Sequence, residues 1–347
     1  MKRLMAQTPR SYRRALAVGL TAVSLGLMSS ACQTVTNASH LGAVAHSRRV
    51  HLPLIVVLAP DANQVVPLVN TLRSELAADF DVQAIAVSQE TSTADLAHAL
   101  ATLKPKAAVL VDNSVVQLYA PIALAAEHPL PSVIVMASFV ERLQKLVPNS
   151  TAISFETPAV TTLSAVRSVL SRPIARAGVI YREGFETFIT QERARATQEG
   201  IELVAVPVSV HPNVATLSRA LRRLEREHLD AVWVSNDNVL LSKRLLGNAW
   251  LPFAKKSALP IVVGVPALVR STIPFGTYAA VPDIVGLGVQ TADLIYALQP
   301  GGWGEQMPRV QPPVAVKTYL NVAQARLMGA SDETEKQVDV LLRHGGS

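Results

Sequence analysis

A single cysteine, Cys32, occurs in the 347 residues. A disulfide framework within the chain is therefore excluded, as is any zinc or iron–sulfur site built on cysteines. Acidic residues are missing before Cys32, whereas Lys2, Arg3, Arg10, Arg13 and Arg14 all lie there. From Cys32 onward 27 basic residues face 26 acidic ones. The basic pI of about 9.6 thus belongs to the N-terminus, and the nucleic-acid partner that a high pI suggests falls away. Signatures of chemistry are missing too. The chain has no GxxxxGK[ST], no GxSxG and no HExxH. Gly286-Leu-Gly288 follows a strand pattern and opens a helix pattern, but it lacks the third glycine of the dinucleotide fingerprint. It reads as close helix packing. The eight histidines form no pair at helical spacing, and Glu225/Glu227 read as a solvated helix face. No catalytic residue, cofactor or metal is expected, and the chain reads as a non-enzyme.

The N-terminus, by contrast, carries a clear pattern. After the basic residues, Ala15 to Met28 form an apolar run of 14 residues. That is short of the ~20 residues of a membrane span and suits the core of a signal peptide. Ser29, Ser30 and Ala31 then lead to Cys32. A small residue before a cysteine just past an apolar core resembles the bacterial lipobox, which makes Cys32 the expected lipidated residue after cleavage. Ser29 stands where the lipobox usually has Leu. Gln33, in place of an Asp, points to the outer membrane if the source is Gram-negative. The expected division is a signal peptide over 1–31 and a polar tether over 32–50. The expected site is the cell envelope, with a lipid anchor and a periplasm-facing domain.

From residue 52 onward, continuous runs of Val, Ile, Leu and Ala alternate with helical patterns. Strands are expected at 52–59, 82–87, 107–111, 132–137 and 151–155, with helices between them. Strands buried on both faces read as unbroken apolar runs, so the sheet should be parallel. Ser92, with Asp95 three places on, reads as a capping box. The same grammar restarts after Pro158, with strands at 175–181, 202–208, 230–235, 260–265, 277–281 and 314–320. A single helix is expected over 239–255. Two doubly wound α/β lobes follow. One should span 51–156 plus about 283–310. The other should span 157–282 plus about 311–331. A polar tail should cover 332–347, although Val338, Val340, Leu341 and Leu342 could dock as a short helix.

Polar residues cluster where the apolar strands end. In parallel α/β sheets ligands sit beyond those ends. The candidate ligand-binding residues are Asp61, Asn113, Ser114, Ser138, Phe139, Glu156, Tyr181, Glu183, Asp237, Asn238 and Asp283. Each polar one could equally cap the helix that follows.

Four passages resemble a known family. They are ARAGVIYREGFETF (175–188), DAVWVSNDNVLLS (230–242), YAAVPDIVGLGVQTADLIYAL (278–298) and PPVAVKTYLNVAQARLMG (312–329). Together they resemble the ABC-transporter substrate-binding proteins that include tryptophan- and tyrosine-binding lipoproteins, with the type I periplasmic-binding-protein fold. The resemblance covers roughly residues 52–330. It implies two lobes closing on a small molecule about hinges near Phe155–Pro158 and Pro282–Asp283. It places Asp237 and Asn238 in the family's Asp-Asn block, Tyr181 and Glu183 in its C-lobe loop, and Asp283 at its acidic position. Asn113 and Ser114 occupy its loop after the third strand. The family usually has Gly-x-Thr there and Asp-Pro after the fourth strand. This chain has Val111-Asp112-Asn113 and Ala137-Ser138-Phe139.

The expected function is that of a solute-binding lipoprotein delivering a small molecule, an amino acid being one candidate, to an ABC importer. Phe139, Phe155 or Tyr181 would form an apolar wall, and Asp237 or Asp283 would pair an ammonium group. The alternative with the same fold is a lipid-anchored sensor acting on a membrane partner. A DNA-binding repressor would need a helix-turn-helix where this chain has a signal peptide and tether.

Overall fold

The computed structural model describes residues 52–270, 275–299 and 310–343. The expected signal peptide, Cys32 and tether lie outside the described residues.

The first sheet is built from β1 (Leu54–Pro60), β2 (Asp81–Val87), β3 (Ala107–Val111), β4 (Ser132–Val135) and β5 (Ser150–Ile153). Between them run α1 (Val66–Leu76), α2 (Thr93–Leu103), α3 (Asn113–Ala125) and α4 (Val140–Gln144). Every residue of β3 and β4 is buried, as are the central five of β1. Each such Val, Leu or Ile contributes about 1.5–3 kcal/mol on leaving water, so these runs take the centre of the sheet. The more polar β2 takes its edge. Ser92 and Asp95 do form a reciprocal capping box at the start of α2.

The chain then crosses to a second layer set: α5 (Ala159–Val169), β6 (Arg176–Arg182), α6 (Glu186–Gln198), β7 (Glu202–Val208), α7 (Val214–Leu224) and β8 (Ala231–Val234). The helix expected over 239–255 is broken into α8 (Lys243–Leu245), a π-helical turn at Leu246–Trp250, and α9 (Leu251–Lys256). Pro252 has no N–H for the carbonyl four residues back. The Trp250 indole N–H instead donates to the Leu240 carbonyl at 3.1 Å. β9 (Ile261–Val263) and β10 (Tyr278–Pro282) complete the parallel part of this sheet.

Two further crossings follow. α10 (Ile284–Leu298) returns to the first lobe, where Leu287, Leu294, Ile295 and Leu298 join the core of Leu68 and Leu72. A Cβ on Gly288 would lie 2.7 Å from the Thr71 Cβ, so the glycine lets α10 approach α1. β11 (Val310–Gln311) pairs with β5, and the chain crosses back to β12 (Val316–Asn321), α11 (Val322–Leu327), α12 (Asp332–Glu335) and β13 (Val340–Leu342).

The N-lobe sheet has the order β11-β5-β4-β3-β1-β2 and is parallel throughout. The C-lobe sheet has the order β13-β12-β10-β9-β8-β6-β7. Each places its first strand beside its second and third, so each has a topological switch point, at β1/β3 and at β6/β8. Two features depart from expectation. β12 runs antiparallel to β10, because the short crossing after β11 allows no return around the sheet. Residues 332–342 are not a tail. β13 pairs in parallel with β12, and Val338 packs in the C-lobe core. The segment is held by Glu335, buried to 2%, which pairs with Arg326 at 2.6 Å and Arg343 at 2.8 Å. Val340 to Leu342 extend an existing edge, which completes β12's hydrogen bonds as a helix could not.

Among the described residues, no helix is long and apolar enough to cross a membrane, and no cluster of His, Cys, Asp and Glu could hold a metal ion.

Candidate ligand-binding cleft

On the N-lobe side the cleft is made by the loops after β3 and β4. Asp112 sits at φ 80°, ψ 155° and caps α3, accepting from the Ser114 N–H at 2.9 Å and the Ser114 hydroxyl at 2.7 Å. Asn113 clamps the next loop. Its Nδ2 donates to the Ser138 carbonyl at 3.0 Å, and its Oδ1 accepts from the Ser138 N–H at 2.8 Å. Met136 and Phe139 also lie at positive φ. Such backbone costs about 1–3 kcal/mol per residue and persists only where its surroundings hold it.

Phe139 is held from the first crossing. Its N–H donates to Glu156 Oε1 at 2.7 Å, and the Ser154 hydroxyl lies 3.3 Å from Glu156 Oε2. Burial pushes the Glu156 carboxyl up to about 7, against the opposing pull of the Phe139 N–H. Among the described residues no cation lies within ion-pair distance of this carboxylate, so removal from water dominates.

On the C-lobe side the site is held by an ion pair. Arg182, at the end of β6, directs Nε to Asp237 Oδ2 at 2.6 Å and Nη1 to the Val210 carbonyl at 3.1 Å. Asp237 Oδ1 accepts from the Val239 and Leu240 N–H groups at 2.9 and 3.3 Å. The carboxylate expected to meet a ligand ammonium is thus occupied by the protein itself, and its side chain is only 2% exposed. Beside it, the buried Asn236 Oδ1 has no hydrogen-bond partner among the described residues. Its amide rests on Gly264, where a Cβ would meet Oδ1 at 2.0 Å.

The two sides meet through aromatic rings. Phe139 lies 4.4 Å from Phe185 and 5.2 Å, edge-on, from Phe188. The guanidinium groups of Arg142 and Arg182 sit 4.5 and 4.8 Å from the Phe185 centroid. Each such cation–π contact contributes about 0.5–2 kcal/mol. Phe139, Arg142 and Phe185 form a partition between two cavities. One of about 360 Å³ lies at the strand ends, bounded by Asn113, Ser138, Arg182, Asn236, Asp237 and Asn238. The other, of about 490 Å³, lies by the crossings, bounded by Glu156, Pro158, Phe188, Glu192, Gln311 and Pro312. Both volumes fall in the range of about 300–1,000 Å³ typical of small-molecule sites.

Of the residues marked from sequence, Asn113, Ser138, Phe139, Asp237 and Asn238 line the strand-end cavity, and Phe139 and Glu156 line the other. Asp61, Ser114, Tyr181, Glu183 and Asp283 line neither. Ser114 is engaged with Asp112. Asp283 caps α10 through the Gly286 N–H at 2.8 Å. Tyr181 and Phe155 pack against the cores of their own lobes, leaving Phe139 as the wall. Arg142, Arg182, Phe185 and Asn236 were not marked as ligand-binding. Arg142 lies in a short helix and reads as surface charge. The spacing Arg182-x-x-Phe185, directly after an apolar strand, is the signal that could have found the stacked pair.

No protein-family model and no curated protein matches the chain. Solved structures do. The chain is similar to an ABC domain in complex with L-Trp from Streptococcus pneumonia, at 18% identity and TM-score 0.56, covering 84% of this chain and 99% of that one. It is similar to the ligand-free, open form of a substrate-binding protein with adhesive properties from Clostridium difficile, at 13% identity and TM-score 0.62, covering 83% and 99%. A conserved domain protein from Vibrio cholerae matches at 17% identity and TM-score 0.54, covering 84% and 99%. At these identities the likeness is one of fold, and the fold is that of the type I periplasmic binding proteins.

Proposed function

We propose that the chain is an extracytoplasmic solute-binding lipoprotein. It traps a small molecule between its lobes and delivers it to an ABC importer. The observation that carries this reading is the cleft itself. Its loops come from the carboxyl ends of β3, β4, β6 and β8, two switch points face it, and three crossings join the lobes behind it. Closure about such crossings brings the two rims onto a ligand. Phe139 against Phe185 is the contact at which the two rims meet. In the names of the similar structures, one is a substrate-binding protein and another holds L-Trp; both descriptions agree with this role. The lipid anchor rests on Cys32 and its flanking sequence.

The test is mass spectrometry of the full chain, purified in mild detergent and then denatured to release any bound molecule. A stoichiometric small molecule is expected, together with a lipid-sized mass increment on Cys32 that Cys32→Ser abolishes. A chain that releases nothing and binds nothing from a metabolite mixture would overturn the solute-binding role. An unmodified Cys32 would overturn the anchor alone. The sensor reading shares the site and is supported by Gln33, since an outer-membrane anchor would separate the protein from an inner-membrane importer. Loss of uptake on deletion, with no change in gene regulation, decides for transport.

A further inference from the structure

We propose that the strand-end cavity of the cleft takes a small organic carboxylate with an apolar body, and that this cavity makes no site for an ammonium group. The inference rests on the solute-binding reading and names its ligand class. An ammonium group in a protein cleft needs a carboxylate to offset its lost hydration. Among the described residues, Asp237 is the one carboxylate lining the strand-end cavity. Both of its oxygens are taken, by Arg182 on one side and by two backbone N–H groups on the other. With 2% of the side chain exposed it offers no surface to a ligand.

The positive charge is arranged differently. Arg182 is neutralised by Asp237, whereas Arg142 makes no ion pair among the described residues and borders both cavities. Its guanidinium face is fixed on Phe185 at 4.5 Å, which leaves the edge donors for a ligand. A stacked guanidinium presents its fork in a set plane, and that geometry suits bidentate recognition of a carboxylate. Among the described residues no carboxylate lies within ion-pair distance of Arg142, Glu186 acting on it only at longer range, so the strand-end cavity carries one unpaired guanidinium beside Phe139, Phe185 and Leu143. A monoanion with an apolar body matches that pattern, and a zwitterion leaves its ammonium group unpaired.

Three probes share a phenyl ring on a two-carbon chain and differ in their charged groups: 3-phenylpropanoate, phenylalanine and 2-phenylethylamine. Titration calorimetry on the full chain in detergent, freed of co-purified ligand by denaturation and refolding, should give 3-phenylpropanoate at least tenfold tighter binding than phenylalanine. 2-Phenylethylamine should give none. Arg142→Gln should weaken 3-phenylpropanoate at least tenfold with an unchanged circular dichroism spectrum, and Arg142→Lys should recover only part of the loss. Binding of phenylalanine or the amine as tight as that of the acid would overturn the assignment, as would unchanged affinity in Arg142→Gln. If no probe binds, the carboxylate assignment falls. The solute-binding reading then stands or falls separately, on the mass-spectrometric release above.

Discussion

On the N-lobe rim three non-glycine residues, Asp112, Met136 and Phe139, sit at positive φ. The C-lobe rim, from Arg182 to Phe185 and from Ser235 to Val239, has none. The N-lobe loops are held in strained backbone by hydrogen-bond clamps without an ion pair, Asn113 on Ser138 and a buried Glu156 on Phe139. The C-lobe loops keep ordinary backbone and are fixed by the Arg182–Asp237 pair. Strain held by separate hydrogen bonds can be released locally. A buried ion pair is all or nothing, because removing one partner strands the other. The C-lobe rim is thus built as a rigid floor, and the N-lobe rim as the part whose geometry its surroundings can tune.

The largest effect should come from the edge of the C-lobe. A chain ending at Ser331 loses β13, the buried Val338 and the buried Glu335 that pairs with Arg326. Losses of this kind cost about 2–5 kcal/mol per large buried contact. Denaturant unfolding should show at least about 3 kcal/mol lost. A loss under about 1 kcal/mol would mean that the floor is self-sufficient without its terminal strand.

Next is Asp237→Asn. The amide oxygen still accepts from Val239 and Leu240, but Arg182, 14% exposed, keeps its charge without a counter-ion. About 3 kcal/mol of stability should be lost, the scale of a broken buried pair. Arg182→Met with Asp237→Asn should recover part of that loss. A single mutant as stable as the parent would erase the contrast between the rims.

The N-lobe rim should respond to pH instead. Glu156 titrates near 7 in the folded protein against an ordinary value of 4.5, chiefly because it is buried. The folded state therefore holds this proton more tightly than the unfolded chain. Its contribution to stability is complete below about pH 4.5, falls as pH rises, and is gone above about pH 7. Over that window the loss is on the order of 3 kcal/mol. Glu156→Gln, measured by urea unfolding at pH 5 and pH 8, should flatten the decline. The same slope in mutant and parent would show that the Phe139 clamp is not linked to this proton.

How far the sequence carried depends on what each feature needs. Apolar runs such as LIVVLA and AAVLV are long enough to declare a buried parallel strand alone. β11 and β13, of two and three residues, exist only because a longer neighbour offers unpaired backbone. The rim was legible where strand ends carry Asn, Asp or Ser, as at Asn113, Ser138 and Asp237. Sequence alone could not show that Asp237 would be consumed by Arg182, since that pairing spans 55 residues. Arg142 is illegible in the sequence for the same reason: it is placed by Phe185 across the cleft.

The smallest effect tests the strain directly. Asp112 has φ 80° and ψ 155°, a region that glycine occupies freely and other residues rarely do. Two energies oppose each other there. The side chain caps α3 through the Ser114 N–H, and removing such a cap costs about 1 kcal/mol. Its Cβ in turn keeps the backbone strained. Asp112→Ala loses the cap and keeps the strain, so it should cost about 1 kcal/mol. Asp112→Gly loses the cap but relieves the strain, offset in part by the greater freedom of glycine in the unfolded chain. It should fall within about 0.5 kcal/mol of the parent. Comparing the two mutants cancels the cap, so the gap between them reports the strain less the entropy that glycine adds to the unfolded chain. Glycine at least about 0.5 kcal/mol above alanine in denaturant unfolding is the expected result, the reverse of the usual order of the two residues in regular structure. Alanine equal to or above glycine would show that the loop relaxes without cost, and that the N-lobe rim stores no strain at Asp112.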